Sequence, residues 1–499
     1  MLALRAGSPA LLLGPLRSFL LNGGSTRQHA TQSPHGTGEE ARFERKVPMI
    51  IGCALFMELL DSTAVLTALA QIAEDFGESS VHMNLVVSLY LLAVAMFIPI
   101  SGWLAERYGP RRVFVLAILL FMASSLACAA SASLLQLSLA RFCQGMAGAM
   151  MVPVGQVILL RWTRKADLLR AMAFLTMPAL LGPVVGPPLG GLLVTCLSWH
   201  WIFLINLPIG LLGILLILRH IPDYPGQKRQ PLDLAGFLSS SLALACLVLA
   251  FESIGHGSLA WFWSCALLAG GLFFGALYLR HARHCPAPLL DLSLLNIATF
   301  GIVLKGGMLF RLGSASLPFL LVLLFQVGFG LSALEAGLLT FAGGVGALMI
   351  KFISVPLVRR FGFRRILIYN SVLSSASVAI CALLREDSTA LAIVLVLFAG
   401  GLSRSLQMST MGALTYADIT ACQASKASTL SAMSVQLSMS LGVGIAALLL
   451  GLIQRLRAHE VPSVDDIGLA MVLASLLCLA SGLYFRRLAG DSGTAMSKP

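Results

Sequence analysis

From about residue 48 to residue 485 the chain is a succession of long apolar runs separated by short polar segments, many of them basic. The runs are too long for the core of a soluble domain, because a membrane-spanning helix needs roughly 20 mostly apolar residues and these match that length. Fourteen spans are predicted, at approximately 48–70, 83–105, 112–131, 134–157, 170–194, 199–219, 232–251, 259–280, 298–325, 334–356, 365–384, 389–411, 427–453 and 466–485.

The polar segments orient these spans. With the N-terminus in the cytoplasm, cytoplasmic segments hold 26 of the 34 Lys and Arg residues. External loops hold Arg385, Arg455 and Arg457, and five bases lie inside spans. Basic segments stay on the cytoplasmic side during insertion, so the bias predicts an even number of spans with both termini inside. Residues 1–47 precede the bundle. From Met1 to Gly38 they carry three arginines and no acid, and a Leu run near Leu11 is broken by Gly14, Pro15 and Arg17. A disordered cytoplasmic tail is expected, with a targeting segment or an early start codon as alternatives.

Composition narrows the function classes. The chain is 58% hydrophobic and 11% charged, against about 25% charged in a soluble domain. The net charge of +12 does not imply nucleic acid, because the bases sit at the ends of apolar runs and not in a patch. Ten cysteines fall mostly inside apolar runs with no C-x-x-C pair, as small buried hydrophobes do. The His281-Ala-Arg-His284-Cys285 cluster lies in a basic connection, and no metal site is expected there. No phosphate-binding G-x-x-x-x-G-K-[ST] loop is present, so ATP coupling has no support, and no motif points to an enzyme or a cofactor. An ion gradient is the remaining source of energy.

Two loops repeat. Trp103-Leu-Ala-Glu-Arg-Tyr-Gly-Pro-Arg-Arg112 and Pro356-Leu-Val-Arg-Arg-Phe-Gly-Phe-Arg-Arg365 both read Leu-x-x-Arg-aromatic-Gly-x-Arg-Arg, 253 residues apart. Six spans account for about 200 of those residues and the pair at 232–280 for the rest. The reading is an all-α polytopic membrane protein: two six-helix halves in parallel repeat, at 48–219 and 297–487, around two inserted helices within 220–296, with a cytoplasmic tail at 488–499. Two halves around a central path is a transporter architecture, with substrate held near the bilayer midplane.

At this point the chain resembles the fourteen-span drug:proton antiporter branch of the major facilitator superfamily, and within it the bacterial MdtD-type multidrug transporters. The resemblance covers about residues 48–487 and rests on five motifs in order. Leu60-Asp-Ser-Thr-Ala-Val-Leu-Thr-Ala-Leu-Ala70 is similar to L-D-x-T-I-V-N-x-A-L-P, with Asp61 and Thr63 matching and Leu66 and Ala70 departing. Gly102 to Arg112 is similar to the G-x-L-A-D-R-x-G-R-R/K loop, with Glu106 for Asp and Pro110 as an extra residue. Through Gly102, Glu106, Arg107, Gly109, Arg111 and Arg112 the resemblance implies a conformational gate. Arg141-Phe-Cys-Gln-Gly-Met-Ala-Gly148 matches R-x-x-Q-G-x-x-G and implies proton coupling through Arg141. Gly182-Pro-Val-Val-Gly-Pro-Pro-Leu-Gly-Gly191 matches the motif that marks exporters, carried by Gly182, Gly186, Pro187, Gly190 and Gly191. Trp199 to Gly210 marks the branch, and no chemistry is assigned to it. The fold implied is the major facilitator fold.

Ionisable groups inside spans complete the picture, since they are costly there and usually functional. Glu58 and Asp61 are i and i+3 on one face of the first span. Two carboxylates that can each be neutral or charged suit a proton carrier, and pairing with interior bases as fixed ions is the alternative. The bases are Arg141, Lys305, Arg311, Lys351 and Arg404. Snorkelling of its long side chain to the surface accounts for Lys351. Arg311, near the midplane, needs a carboxylate partner such as Asp61 or Glu58, a water-filled cavity or an anionic substrate. Gln144, Gln436 and Ser440 are candidates to line the path with Arg311; helix–helix hydrogen bonding is the alternative for Gln436 and Ser440. The expected function is proton-driven export of small molecules of the multidrug type by alternating access, as a monomer in the bacterial inner membrane. Its partners are the substrate, protons and the bilayer. One alternative is export of a defined organic anion or metabolite, including a metal chelate, which the excess of bases over acids within spans favours. A remoter one is a sensor or scaffold that does not transport.

Overall fold

The computed structural model describes residues 45–78, 83–223, 225–226, 231–256, 261–286, 288–459, 461–490 and 492–493. Of the tail expected at 1–47, residues 1–44 lie outside that description and the rest enters the first helix; of the tail expected at 488–499, residues 491 and 494–499 lie outside it. The described chain is a helical bundle: α1 Lys46–Phe76, α2 Asn84–Tyr108, α3 Pro110–Ala129, α4 Leu134–Trp162, α5 Leu168–Cys196, α6 His200–Leu204, α7 Asn206–His220, α8 Leu234–His256, α9 Trp261–His284, α10 Ala298–Leu323, α11 Ala333–Phe361, α12 Phe363–Cys381, α13 Ala390–Thr415, α14 Ala424–Arg457 and α15 Val464–Phe485.

Thirteen helical segments among the described residues are long and apolar enough to cross a membrane, with α6 and α7 together making one. Those two are separate because Pro208 cannot donate to the carbonyl of Leu204, four residues back. The remaining predicted span, the eleventh at 365–384, is α12, with 19 residues. Its polarity is inward: Asn370, Ser371, Ser374 and Ser375 are buried. Asn370 Nδ2 donates to Ser403 O (2.7 Å) and Gln407 Oε1 (3.0 Å), and Gln407 Nε2 donates to Ser371 Oγ (3.0 Å) and Leu367 O (3.2 Å). Helix–helix hydrogen bonds of this kind hold a span in place at the expense of its mean hydropathy. The helices alternate in direction, so both basic loops lie at the end where α1 begins, called here the basic end. Four of the helices that start at the far end, α4, α11, α13 and α15, are capped by Ser133, Ser332, Thr389 and Ser463, each accepting from a backbone amide of the first turn.

The repeat seen in the loops holds throughout the bundle. In the first half α1 packs on α5 and α7, α4 on α2 and α3, and α3 on α7. In the second half α10 packs on α14 and α15, α13 on α11 and α12, and α12 on α15, which are the same five pairs. The contacts between halves are also reciprocal: α2 and α4 touch α14, as α11 and α13 touch α5. Gly109 and Gly362, 253 residues apart, end α2 and α11 at φ 91° and 80° and directly begin α3 and α12. A side chain rarely adopts that backbone, so glycine at this place in both loops is what lets the turn be this tight.

The inserted pair breaks the symmetry. Helix α8 packs on both α2 and α14, covering their seam, and α9 packs on α8. Ser241 Oγ donates to Met96 O (2.5 Å) and Ser88 Oγ to Glu252 Oε1 (2.6 Å), fixing α8 along α2. Among the described residues no helix lies over the α5–α11 seam in this way.

Candidate functional site

The motif residues of α1 and α4 converge on one buried charge cluster. Asp61 and Arg141 are 0% and 1% exposed, and Arg141 Nη1 donates to Asp61 Oδ2 at 2.5 Å. Gln144, one turn along α4, donates through Nε2 to Asp61 Oδ1 (3.0 Å) and accepts from Arg141 Nη1 (2.6 Å). The arginine plane lies 4.3 Å from the centre of the Tyr90 ring. Such a pair needs further hydrogen bonds to offset the removal of both ions from water. Here α7 and α3 provide them: Asn206 Nδ2 donates to Asp61 Oδ1 (2.7 Å), and Ser125 Oγ accepts from Gln144 (2.8 Å) and Asn206 (3.2 Å). Side chains of α4 and α7 therefore meet at one carboxylate of α1, and α3 holds two of the donors from behind.

Glu58 does not join this cluster. It is buried one turn nearer the basic end, and its Oε2 has no hydrogen-bond partner among the described residues. Gly148 leaves it room, since a Cβ there would stand 3.3 Å from Glu58 Oε1. The exporter-motif glycines explain how α1 is held. Gly182, Gly186 and Gly190 recur every four residues on α5 and face Leu60, Thr63 and Ala64 of α1 so closely that a Cβ at Gly182 would come within 2.9 Å of Leu60 N. Gly191 has open space beside it, and Pro187 is exposed. Motif one and motif four are thus two sides of one helix contact.

The loop between α2 and α3 is fastened on its own half. Arg112 pairs with Asp223 (2.7 Å), Arg111 Nη2 donates to Leu218 O (2.6 Å), and Arg107 stacks over Trp103. Gly102 and Glu106 face the other half. Gly102 lies against Ser425 and Thr429 of α14, and Glu106 lines a small pocket with Lys426. Lys426 also reaches Asp291 in the linker (3.4 Å). Burial alone would push the Asp291 carboxyl up, but hydrogen bonding from Ser293 and the charge of Lys426 hold it below its ordinary value. Further bonds join the halves at the same end: Ser101 with Thr429 (3.3 Å), Ser428 Oγ to Pro153 O (2.8 Å) and Tyr416 OH to Gln156 Oε1 (2.7 Å).

The second half places its bases differently from expectation. Lys305 is exposed. Lys351 does not snorkel to the surface: it is 7% exposed and donates to Ser409 Oγ. Arg311 is buried, makes no ion pair with Asp61 or Glu58, and leaves Nη1 without a partner among the described residues. Gln436 and Ser440 are half-buried on α14. Gln144, expected on the substrate path, is instead fully buried within the charge cluster. In the linker, Asp233, His281 and Cys285 bring donor atoms within 4.8 Å of one another, with His281 Nε2 2.8 Å from Asp233 Oδ1.

Residues 51–325 match the Major Facilitator Superfamily. The chain belongs to this superfamily. It is 40% identical over 448 residues to multidrug resistance protein MdtD of Klebsiella pneumoniae (strain 342), covering 89% of this chain and 95% of that one. It is 40% identical over 448 residues to MdtD of Pectobacterium atrosepticum, with the same shares covered. With MdtD of Escherichia coli O9:H4 it shares 41% over 407 residues, 81% of this chain and 85% of that one. A crystal structure of the human organic anion transporter MFSD10 superposes with a TM-score of 0.64 over 88% of this chain and 99% of that chain, at 17% identity, a likeness of fold alone. As a superfamily member the chain is a multi-pass transporter of small molecules and not an enzyme.

Within this major facilitator fold, three residues of the cluster escaped the sequence reading: Asn206, Ser125 and Tyr90. Asn206 lies in the Trp199–Gly210 motif, to which no chemistry was assigned, and that motif now supplies a donor to Asp61. Polar Asn206 inside an otherwise apolar span was the available signal. Ser125 had none, since serines are frequent in these spans. Of the motif tryptophans only Trp201 faces outward; Trp199 is buried and its Nε1 donates to Asp75 Oδ2 (2.6 Å), tying α6 to α1.

Proposed function

We propose that this transporter exports small molecules of the multidrug type in exchange for protons, as a monomer in the bacterial inner membrane with its basic end in the cytoplasm. The observation that carries the reading is the buried Asp61–Arg141 pair at the meeting of α1, α3, α4 and α7. A proton arriving at Asp61 removes the negative charge that holds Arg141, which loosens α1 from α4. Departure of the proton restores the bond. Because α1 is packed on the glycine stripe of α5, and α5 forms a seam with α11, a change in α1 reaches the contact between halves. Glu58, with a free carboxylate oxygen close by, is a second place for a proton on the same helix. The 40% identity to MdtD relatives over nearly the whole chain supports the multidrug class, and the basic loops at one end support the orientation.

Everted membrane vesicles test this. With an acid-inside gradient they should accumulate ethidium, and nigericin should abolish the accumulation. Asp61→Asn and Glu58→Gln should each reduce gradient-driven uptake at least tenfold at equal protein level. Uptake by Asp61→Asn at the wild-type rate, or wild-type uptake that survives nigericin, would overturn proton coupling.

A further inference from the structure

The internal repeat permits a comparison of the two seams position by position. Across the offset of 253 residues, Ile98, Gly102 and Glu106 of α2 correspond to Lys351, Val355 and Arg359 of α11. On the α2–α14 seam the three pack the halves together. Ile98 is buried against Ala149 and Ala432, Gly102 lets α14 approach, and Glu106 faces Lys426. On the α5–α11 seam every one is changed: an ammonium replaces the apolar side chain, a branched side chain replaces glycine, and a base replaces the acid. Facing Arg359 across that seam is another base, Arg170.

The consequence is a cleft of about 490 Å³ between the cytoplasmic ends of α5 and α11. Arg45, Arg170, Lys351 and Arg359 line it with Phe174 and Phe352, and no acid is among its described lining residues. Its volume is that of a small-molecule site. Three of the bases stand at helix ends, but Lys351 is eight residues up α11 from Arg359, about 12 Å deeper at 1.5 Å per residue. A phospholipid headgroup stays at the level of the helix ends, so a ligand that engages both levels enters head-first along the seam. The helical acids of the second half, Glu335, Asp465 and Asp466, stand in first turns at the far end. None is placed along a span to neutralise Lys351 or, deeper in, Arg311.

We propose that this cleft is the cytoplasmic reception site for an aromatic organic anion, with Arg170 and Arg359 at its mouth, Lys351 as the inner contact of the anionic group, and Phe174 and Phe352 against the ring. This deepens the exporter reading and rests on it for direction. Bases stand on both walls of this seam, and an anion held between them bridges the halves, so occupancy and movement of the halves are linked.

Fluorescein, an aromatic anion, and ethidium, an aromatic cation, are the probes. Fluorescence anisotropy on the full-length protein in phosphatidylcholine nanodiscs reads binding with no gradient, so the result stands apart from proton coupling. Wild type should bind fluorescein. Lys351→Gln and Arg359→Glu, the latter installing the acid of the other seam, should each weaken fluorescein at least tenfold and leave ethidium unchanged. Unchanged ethidium binding in those variants rules out misfolding as the cause, and Lys351→Arg should stay within threefold of wild type for fluorescein. No fluorescein binding, equal loss for both probes, or wild-type affinity in Lys351→Gln would overturn the proposal while leaving the exporter reading in place. So would competition by phosphatidylglycerol that abolishes binding in wild type, which would make the cleft a lipid site. In everted vesicles, uptake of ethidium without fluorescein would also overturn it, whereas failure of gradient-driven uptake of both probes would count against the exporter reading instead.

Discussion

Asp61 and Arg141 lend themselves to a double-mutant cycle. Removing one member of a buried ion pair leaves the other charge without compensation and costs about 3–5 kcal/mol. In Arg141→Met the Asp61 carboxylate keeps Gln144 and Asn206, at 3.0 and 2.7 Å, so the loss should fall near the lower end, about 3 kcal/mol. In Asp61→Asn the guanidinium keeps Gln144 Oε1 at 2.6 Å and the face of Tyr90 but no anion, so about 4 kcal/mol is expected. The double mutant buries no charge there. The amide carbonyl introduced on α1 accepts from Asn206, and the methionine occupies the arginine's place beside Tyr90, so a loss of about 1–2 kcal/mol is expected and a coupling energy of about 5–6 kcal/mol follows. Unfolding in sodium dodecyl sulfate measures these differences, and a thiol-reactive fluorogenic dye can report it because Cys128, Cys381 and Cys478 are free and buried. All three variants should be uncoupled in everted vesicles, the double mutant despite near-normal stability. If the double mutant loses as much as the two single mutants together, the pair does not hold α1 to α4 and the coupling argument fails with it.

Other outcomes follow from the same geometry. Asn206→Leu removes a donor to a buried carboxylate, a loss of about 1.5–3 kcal/mol; it should slow ethidium uptake about tenfold, and unchanged stability and rate would show that α7 plays no part. Gly186→Val sets a branched side chain against Thr63 and Leu60 on α1, and overpacking of this kind costs about 1–3 kcal/mol; a dye melt no lower than wild type would mean that α1 does not rest on this stripe. Reporter fusions after Arg487 and at Pro462 should read cytoplasmic and external respectively, and an external reading at Arg487 would reverse the orientation.

The spans, their alternation and the repeat could be read from the sequence because each depends on local sums. Apolar runs such as 234–254 partition into lipid through their own transfer free energy, whatever their neighbours do. The two loops ending at Arg112 and Arg365 declared the repeat because a tight basic turn needs the same residues wherever it occurs. Asp61, Arg141 and Gln144 were recognisable as polar groups that an apolar span would not otherwise tolerate. What each of them touches was not recognisable. Whether Asp61 meets Arg141 or Arg311 depends on how far α1 and α10 are rotated about their axes, and that rotation is decided by packing, by Gly186 against Thr63 and Gly148 beside Glu58. Helix α12 was legible as a span at 365–384, but how its Asn370 is tolerated was not: the amide is costly alone in lipid and is satisfied only once Gln407 is brought beside it. Lys351 at the edge of a span reads as a snorkelling side chain, and only the packing of α11 on α13 turns it inward to Ser409. Hydropathy and motifs act along the chain and are written in it; the pairing of charges acts across the bundle, where residues far apart in sequence share one low-dielectric space, and only the tertiary structure sets which of them meet.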